Sequence, residues 1–269
     1  MTDSEGTGGP PEGERWEKWE RWQEGSLTLP DVPEPEHGLG EPDRPTQVPW
    51  RAREGFLIFL LHLVGAALVA LFAAVFVSTG DELTIITILL TEISLVVTTL
   101  VWIKVRYGLG PRALGFRDFT GRNVMIGLGV GILGFVLAVL VGSALQQTIE
   151  SVTNAPAPQP DQIPLDEEPT GALLWIVGVS VVLLAPLAEE AFFRGFVFGG
   201  LRRWARRWPA VLISALAFTI PHVQPIVLLP IFVLGIVLAW VVERRRSLVP
   251  SIVAHLAFNV FGFIALYLV

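Results

Sequence analysis

Polar residues set inside apolar segments are the first candidates for chemistry in this chain. At 188–195 the sequence reads Ala188-Glu189-Glu190-Ala191-Phe192-Phe193-Arg194-Gly195, in a segment otherwise apolar enough to span a bilayer. Ionised in hydrocarbon, each glutamate would cost roughly 2.5–3.5 kcal/mol even on lenient insertion scales. Each therefore needs a partner, a wet cavity or a shared proton. Glu190 and Arg194, four apart, share one helix face and form a natural ion pair. Glu189 is rotated by about 100° from Glu190 and is left for another role.

Two later segments add groups at the same spacing. Phe218 and His222 are four apart, and so are His255 and Asn259. A carboxylate, two imidazoles, an amide and a guanidinium around one cavity suit hydrolysis of an acyl bond. That reaction needs a base to activate water and donors for the oxyanion. Glu189 with His222 would hold and deprotonate the water, and His255 with Asn259 would donate to the tetrahedral oxygen. The same set would equally hold a divalent metal such as zinc through Glu189, His222 and His255, with water in the fourth position. Spacing does not choose between a metal and none. The adjacent pair Glu189-Glu190 is not the His-Glu-x-x-His zinc motif.

The elements that must position these groups are membrane helices. Apolar residues make up 52% of the 269 residues, mean hydropathy is +0.59, and there is no cysteine. Disulfides, thiolate metal sites and a cysteine nucleophile are thereby excluded. Long uncharged runs carry the excess hydropathy, which predicts an all-α, polytopic membrane bundle of about seven transmembrane helices. The runs are Phe56 to Val77, Leu83 to Ile103, Val124 to Leu145, Gly171 into the two glutamates, Pro209 to Ile220, Ile226 to Val242, and Leu248 onward. The third carries Gly127, Gly131, Gly134, Ala138 and Gly142, a small-residue face for close helix packing. The fifth, about 12 residues long, is shorter than the ~20 needed to cross. The turn holding His222 is therefore expected inside the membrane, against protein or a wet cavity.

Lys and Arg alternate between loops. They are abundant before the first run, between the second and third (Lys104, Arg106, Arg112, Arg117, Arg122), after the fourth (Arg202, Arg203, Arg206, Arg207) and after the sixth (Arg244, Arg245, Arg246). Loops 78–82, 146–170 and 221–225 have none. The positive-inside rule then places the N-terminus in the cytoplasm and the C-terminus outside. The predicted organisation is a disordered acidic Pro/Gly-rich cytoplasmic tail (1–50), N-terminal transmembrane helices (51–147), a Pro-rich extracytoplasmic linker (148–170) and a transmembrane domain holding the polar motifs (171–269). The tail has 12 acidic against 4 basic residues, so the net charge of −6 belongs to it. Its Trp16, Trp19 and Trp22 are spaced to line one side of a short surface helix, but a fluctuating tail is the simpler reading. His62 reads as a satisfied core residue. Glu92, midway along the second run, reads either as a partner of Arg194 or as a protonated packing donor.

Taken in order, Glu189-Glu190-x-x-x-Arg194-Gly195, Phe218-x-x-x-His222 and His255-x-x-x-Asn259 resemble the CPBP family of intramembrane proteases. That family contains the type II CAAX prenyl endopeptidases and the bacterial Abi, or bacteriocin-processing, proteins. The resemblance covers roughly residues 171–265. It implies that Glu189 and His222 activate a water, that His255 and Asn259 stabilise the oxyanion, and that Glu190 and Arg194 support them. Members are described both as metalloproteases and as metal-free glutamate proteases, so a divalent ion such as zinc and no cofactor both stand. The implied activity is endopeptidase cleavage of a peptide or protein, in some cases lipid-modified, within a bilayer, with no nucleic-acid partner. The implied location is the bacterial cytoplasmic membrane. Two other functions fit the same residues: an inactive scaffold or bacteriocin-immunity-type binding protein, and a proton-coupled transporter using Glu92 and Glu189.

Overall fold

The computed structural model describes residues 48–76, 80–158, 169–222 and 224–267. Residues 1–47 of the acidic tail, with Trp16, Trp19 and Trp22, and residues 159–168 of the Pro-rich linker lie outside the described residues. Among the described residues the chain is all-α. Seven helices follow one another: α1 (Arg53–Phe76), α2 (Asp81–Tyr107), α3 (Gly121–Thr153), α4 (Gly171–Arg202), α5 (Arg207–Thr219), α6 (Pro225–Arg245) and α7 (Val249–Tyr267). Short 3-10 turns at Pro111–Leu114 and Ile220–His222 join them.

Five helices, α1 to α4 and α6, are long and apolar enough to cross a membrane. The chain is thus a multi-pass integral membrane protein. α5, with 13 residues, falls short of a crossing, as does the apolar stretch Val249–Ala265 of α7. The lipid-facing character of α1 is plain from its exposed Phe56, Leu68, Leu71 and Phe72. One boundary differs from the sequence expectation. α3 runs on to Thr153, through residues assigned to the linker, because no proline interrupts the chain before Pro156. It stops at Asn154, which takes a left-handed conformation (φ 53°).

Helix α4 is held on several sides. α2 packs along it, α5 and α6 pack on its far end, and α7 runs against its middle. At its end Arg202 grips Glu243 of α6 through two hydrogen bonds, Nε to Oε2 at 2.9 Å and Nη2 to Oε1 at 3.1 Å. Both residues are buried, and Arg207 and Arg246 reach the same carboxylate at 3.3 Å. α7 is fixed from the other side by α3, where the small-residue face of α3 does the packing the sequence suggested. A Cβ on Gly131 would lie 2.5 Å from the Ala254 carbonyl oxygen, and one on Gly127 would lie 2.6 Å from Val253 Cβ.

That contact makes a prediction. Gly131→Ala should destabilise the protein by about 1–3 kcal/mol through overpacking. Gly129→Ala, where a Cβ meets nothing within 4 Å, should leave stability unchanged or raise it by up to about 1 kcal/mol. Thermal unfolding of the purified variants in detergent checks both.

Candidate active site

The site is built on an irregular stretch of α4. The helix is α-helical over Gly171–Gly178 and Ala185–Glu189 but π-helical over Val179–Leu184 and Glu190–Phe198. Such wide turns leave carbonyls without their usual partners and recur at functional sites. Three carbonyls of the π-helical stretches accept hydrogen bonds from side chains elsewhere in the chain. Asn259 Nδ2 donates to Val181 O at 2.7 Å, Ser214 Oγ to Phe193 O at 3.2 Å, and Trp50 Nε1 to Phe196 O at 2.9 Å. Trp50 also stacks on the Phe196 ring, centroids 5.0 Å apart.

Within this frame the two glutamates have different surroundings. Glu190 is fully buried. Its Oε1 lies 2.9 Å from Arg194 Nη1 and 3.2 Å from His255 Nδ1, and its Oε2 accepts a hydrogen bond from Ser251 Oγ. Arg194 is buried with it, its guanidinium carbon 4.0 Å from the centroid of the Phe218 ring and its Nη2 donating to Gly235 O at 3.4 Å. Nε makes no hydrogen bond, and Nη1 meets the carboxylate at ion-pair distance without hydrogen-bond alignment. The aromatic face supplies much of the cation's remaining stabilisation. Partners for the leftover donors and acceptors of a buried pair lower the cost of taking both charges out of water. Glu189 has no such cage. Its side chain keeps 16% exposure against none for Glu190, so it is the less enclosed of the two carboxylates.

His255 joins the two. Its Nδ1 faces Glu190 and its Nε2 lies 3.7 Å from Glu189 Oε2. Because Arg194 holds Glu190 as an anion, the network assigns the proton to Nδ1 and leaves Nε2 bare. A bare ring nitrogen opposite a carboxylate oxygen then calls for a hydrogen-bearing group between them.

Glu189, Glu190, Arg194 and His255 are therefore brought together. His222 packs near the Phe218 ring, centroids 5.2 Å apart, and the same ring lies 5.6 Å from His255. Its Nδ1 is 3.0 Å from Phe218 O, and it makes no direct contact with Glu189 among the described residues. Asn259 spends one amide hydrogen on Val181 O. The carbonyl can only accept, so the amide nitrogen must face it. His62 is buried with its Nδ1 3.3 Å from Ser94 Oγ. Among the described residues Glu92 makes no ion pair with Arg194, whose carboxylate partner is Glu190. Glu92 sits seven residues from both Ile85 and Thr99, on the buried stripe of α2.

A zinc site needs three protein ligands around one point. Glu189 and His255 provide two donors, and among the described residues no group of three His, Asp or Glu side chains gathers closely enough to hold an ion. As arranged, these residues do not fit the metal, and no step is routed through one.

Ser251, Ser214 and Trp50 escaped the sequence reading. Ser251 had a signal, since Ser251, His255 and Asn259 recur every four residues and so form one stripe along α7. Ser214 and Trp50 had none, because their acceptors are backbone carbonyls, which leave no mark in the sequence.

Comparison with known proteins agrees with the motif reading. Residues 171–261 match the family described as type II CAAX prenyl endopeptidase Rce1-like. This stretch, holding every motif residue named above, is a domain of that family. A curated relative, UPF0177 protein YxdF of Lactococcus lactis subsp. lactis, is 32% identical over 81 residues. The alignment takes in 30% of this chain and 44% of the relative, so the chain spans less than half of that protein's length. No solved structure matches.

The unequal surroundings of the glutamates predict unequal mutational effects. Glu190→Gln strands the Arg194 cation and should cost about 3–5 kcal/mol of stability. Glu189→Gln should unfold close to wild type. Melting curves of the two variants in the same detergent make the comparison.

Proposed function

We propose that this protein is an intramembrane endopeptidase of the CAAX-protease-like type, hydrolysing a peptide bond with a water activated by Glu189. The observation that carries this reading is the single imidazole, His255, anchored to a caged carboxylate on one side and turned toward an uncaged one on the other. A water touching Glu189 Oε2 and His255 Nε2 can donate a hydrogen to each, leaving its lone pairs free for a carbonyl carbon. Glu189 takes a proton as the carbon–oxygen bond forms, and the carbonyl oxygen becomes the oxyanion. The second amide hydrogen of Asn259 is the donor for that oxygen. The tetrahedral intermediate then collapses, the carbon–nitrogen bond breaks, and Glu189 returns its proton to the leaving amine. His222, its ring fixed by Phe218 O, is the second imidazole available to the water, as the family resemblance implies.

Glu190 and Arg194 keep His255 oriented and do not touch the substrate. The basic ends of α2, α4 and α6 support an orientation with the N-terminus in the cytoplasm and the C-terminus outside, seven helices taking part in the bundle. The substrate class this favours is a peptide or protein delivered by the bilayer, with a prenylated C-terminal peptide as the first candidate. A bacterial cytoplasmic membrane is the proposed location.

The test is incubation of the purified protein in nanodiscs with peptides ending in Cys-aliphatic-aliphatic-X, farnesylated and unmodified. Cleavage by wild type, lowered about 10²–10⁴-fold by Glu189→Gln, is expected. Peptides left intact by wild type across a broader membrane-peptide panel would favour a binding role instead.

A further inference from the structure

We infer that Pro186 is a positioning residue for Asn259, acting through a backbone carbonyl that it leaves unpaired. In an α-helical register Val181 O would receive the N–H of residue 185. In this structure the Ala185 N–H instead bonds to Ser180 O, five residues back, because Val179–Leu184 is π-helical. In that wider register the donor for Val181 O would be residue 186. Residue 186 is a buried proline and has no N–H. The carbonyl is thus without a partner in its own helix, inside the bundle, where leaving it unpaired is costly. Asn259 Nδ2 meets it at 2.7 Å.

The consequence concerns geometry. An asparagine side chain has two rotatable bonds, and a free one would sample several directions. With one amide hydrogen held by Val181 O, the plane of the amide is fixed and its second hydrogen points along a set direction. The same bond ties α7 to α4 on the far side of Glu189 from the Ser251–Glu190 bond. The register agrees: Asn259 lies eight residues beyond Ser251 on α7, about 12 Å, and Val181 lies nine before Glu190 on α4, about 13 Å, so the helices run antiparallel and the two bonds bracket the site. Pro186 is therefore more than a helix irregularity. Its missing N–H creates the acceptor that aims Asn259.

The experiment is a double-mutant cycle on full-length protein, Pro186→Ala and Asn259→Ala, singly and together. Alanine at 186 restores an N–H that competes for Val181 O and favours the helix, so the variant should fold and melt at or above the wild-type temperature. Asn259→Ala should lower the melting temperature by several degrees in the Pro186 background and by little or nothing in the Pro186→Ala background, where the carbonyl already has a donor. An equal drop in both backgrounds overturns the inference. Turnover of the farnesylated Cys-aliphatic-aliphatic-X peptide gives a second readout, which a merely structural proline would not move in this direction. kcat should fall at least about tenfold in Pro186→Ala with KM little changed, and adding Asn259→Ala should cost less than it does in wild type. Unchanged kcat in a folded, active Pro186→Ala protein also overturns it. This arm rests on the endopeptidase reading and the melting arm does not. Coupled melting temperatures with no cleavage by wild type would leave the Pro186–Asn259 link standing and count against the activity alone.

Discussion

The burial of the Glu190–Arg194 pair is the constraint on which the rest of this structure depends. Both groups are removed from solvent within a helix of a membrane bundle whose α-helical register is twice interrupted, and each would be costly there without the other. Satisfying them recruits three other helices. α7 sends Ser251 and His255, α5 sends the Phe218 ring, and α6 offers Gly235 O. Helices far apart in sequence are thus obliged to meet at one depth, and the place where they meet is the site. Glu189 sits at its edge with only part of that protection. The adjacent glutamates therefore do different jobs: one holds the frame together, and the other is left facing an imidazole that the frame has aimed.

The π-helical register of α4 is the second half of the same design. The helix is widened at 179–184 and 190–198, and polar side chains from three different parts of the chain donate to carbonyls of these stretches. Each bond fixes a neighbouring helix or segment against α4 without adding a charge to the bilayer interior. Trp50, just before α1, is the most distant of these in sequence, 146 residues from its acceptor. It ties the entry of the first membrane helix to the same turn of α4 that carries Arg194. Stability and site geometry are accordingly not separable along this helix.

How much of this was legible in the sequence follows from what kind of signal each feature leaves. Charged and polar residues in apolar runs stand out because the bilayer makes them expensive, so Glu189, Glu190, Arg194, His222, His255 and Asn259 were visible at once. Spacing of four told which of them share a helix face, and the Glu190–Arg194 pair formed as that spacing implies. The all-α, multi-pass class and the close packing of Gly127 and Gly131 were also readable, since composition and small-residue periodicity carry them directly. The exact partners were not. His255 rather than His222 approaches Glu189 most closely, and Asn259 reaches for a carbonyl, because both depend on a helix register that no propensity reveals. Glu243 was overlooked for a simpler reason. Set before Arg244, Arg245 and Arg246, it reads as one more loop charge, although it is buried against Arg202 from a helix 41 residues away.

The central claim is that His255 is held by Glu190 through one nitrogen so that the other faces Glu189. The chain has four histidines, which makes nitrogen NMR of protein labelled with 15N-histidine in nanodiscs tractable. The account predicts that His255 is protonated at Nδ1, that Glu189→Gln shifts its Nε2 resonance while leaving Nδ1 protonated, and that Glu190→Gln abolishes the preference for that tautomer. A His255 ring protonated at Nε2 alone, or one whose tautomer is indifferent to Glu190→Gln, would contradict it.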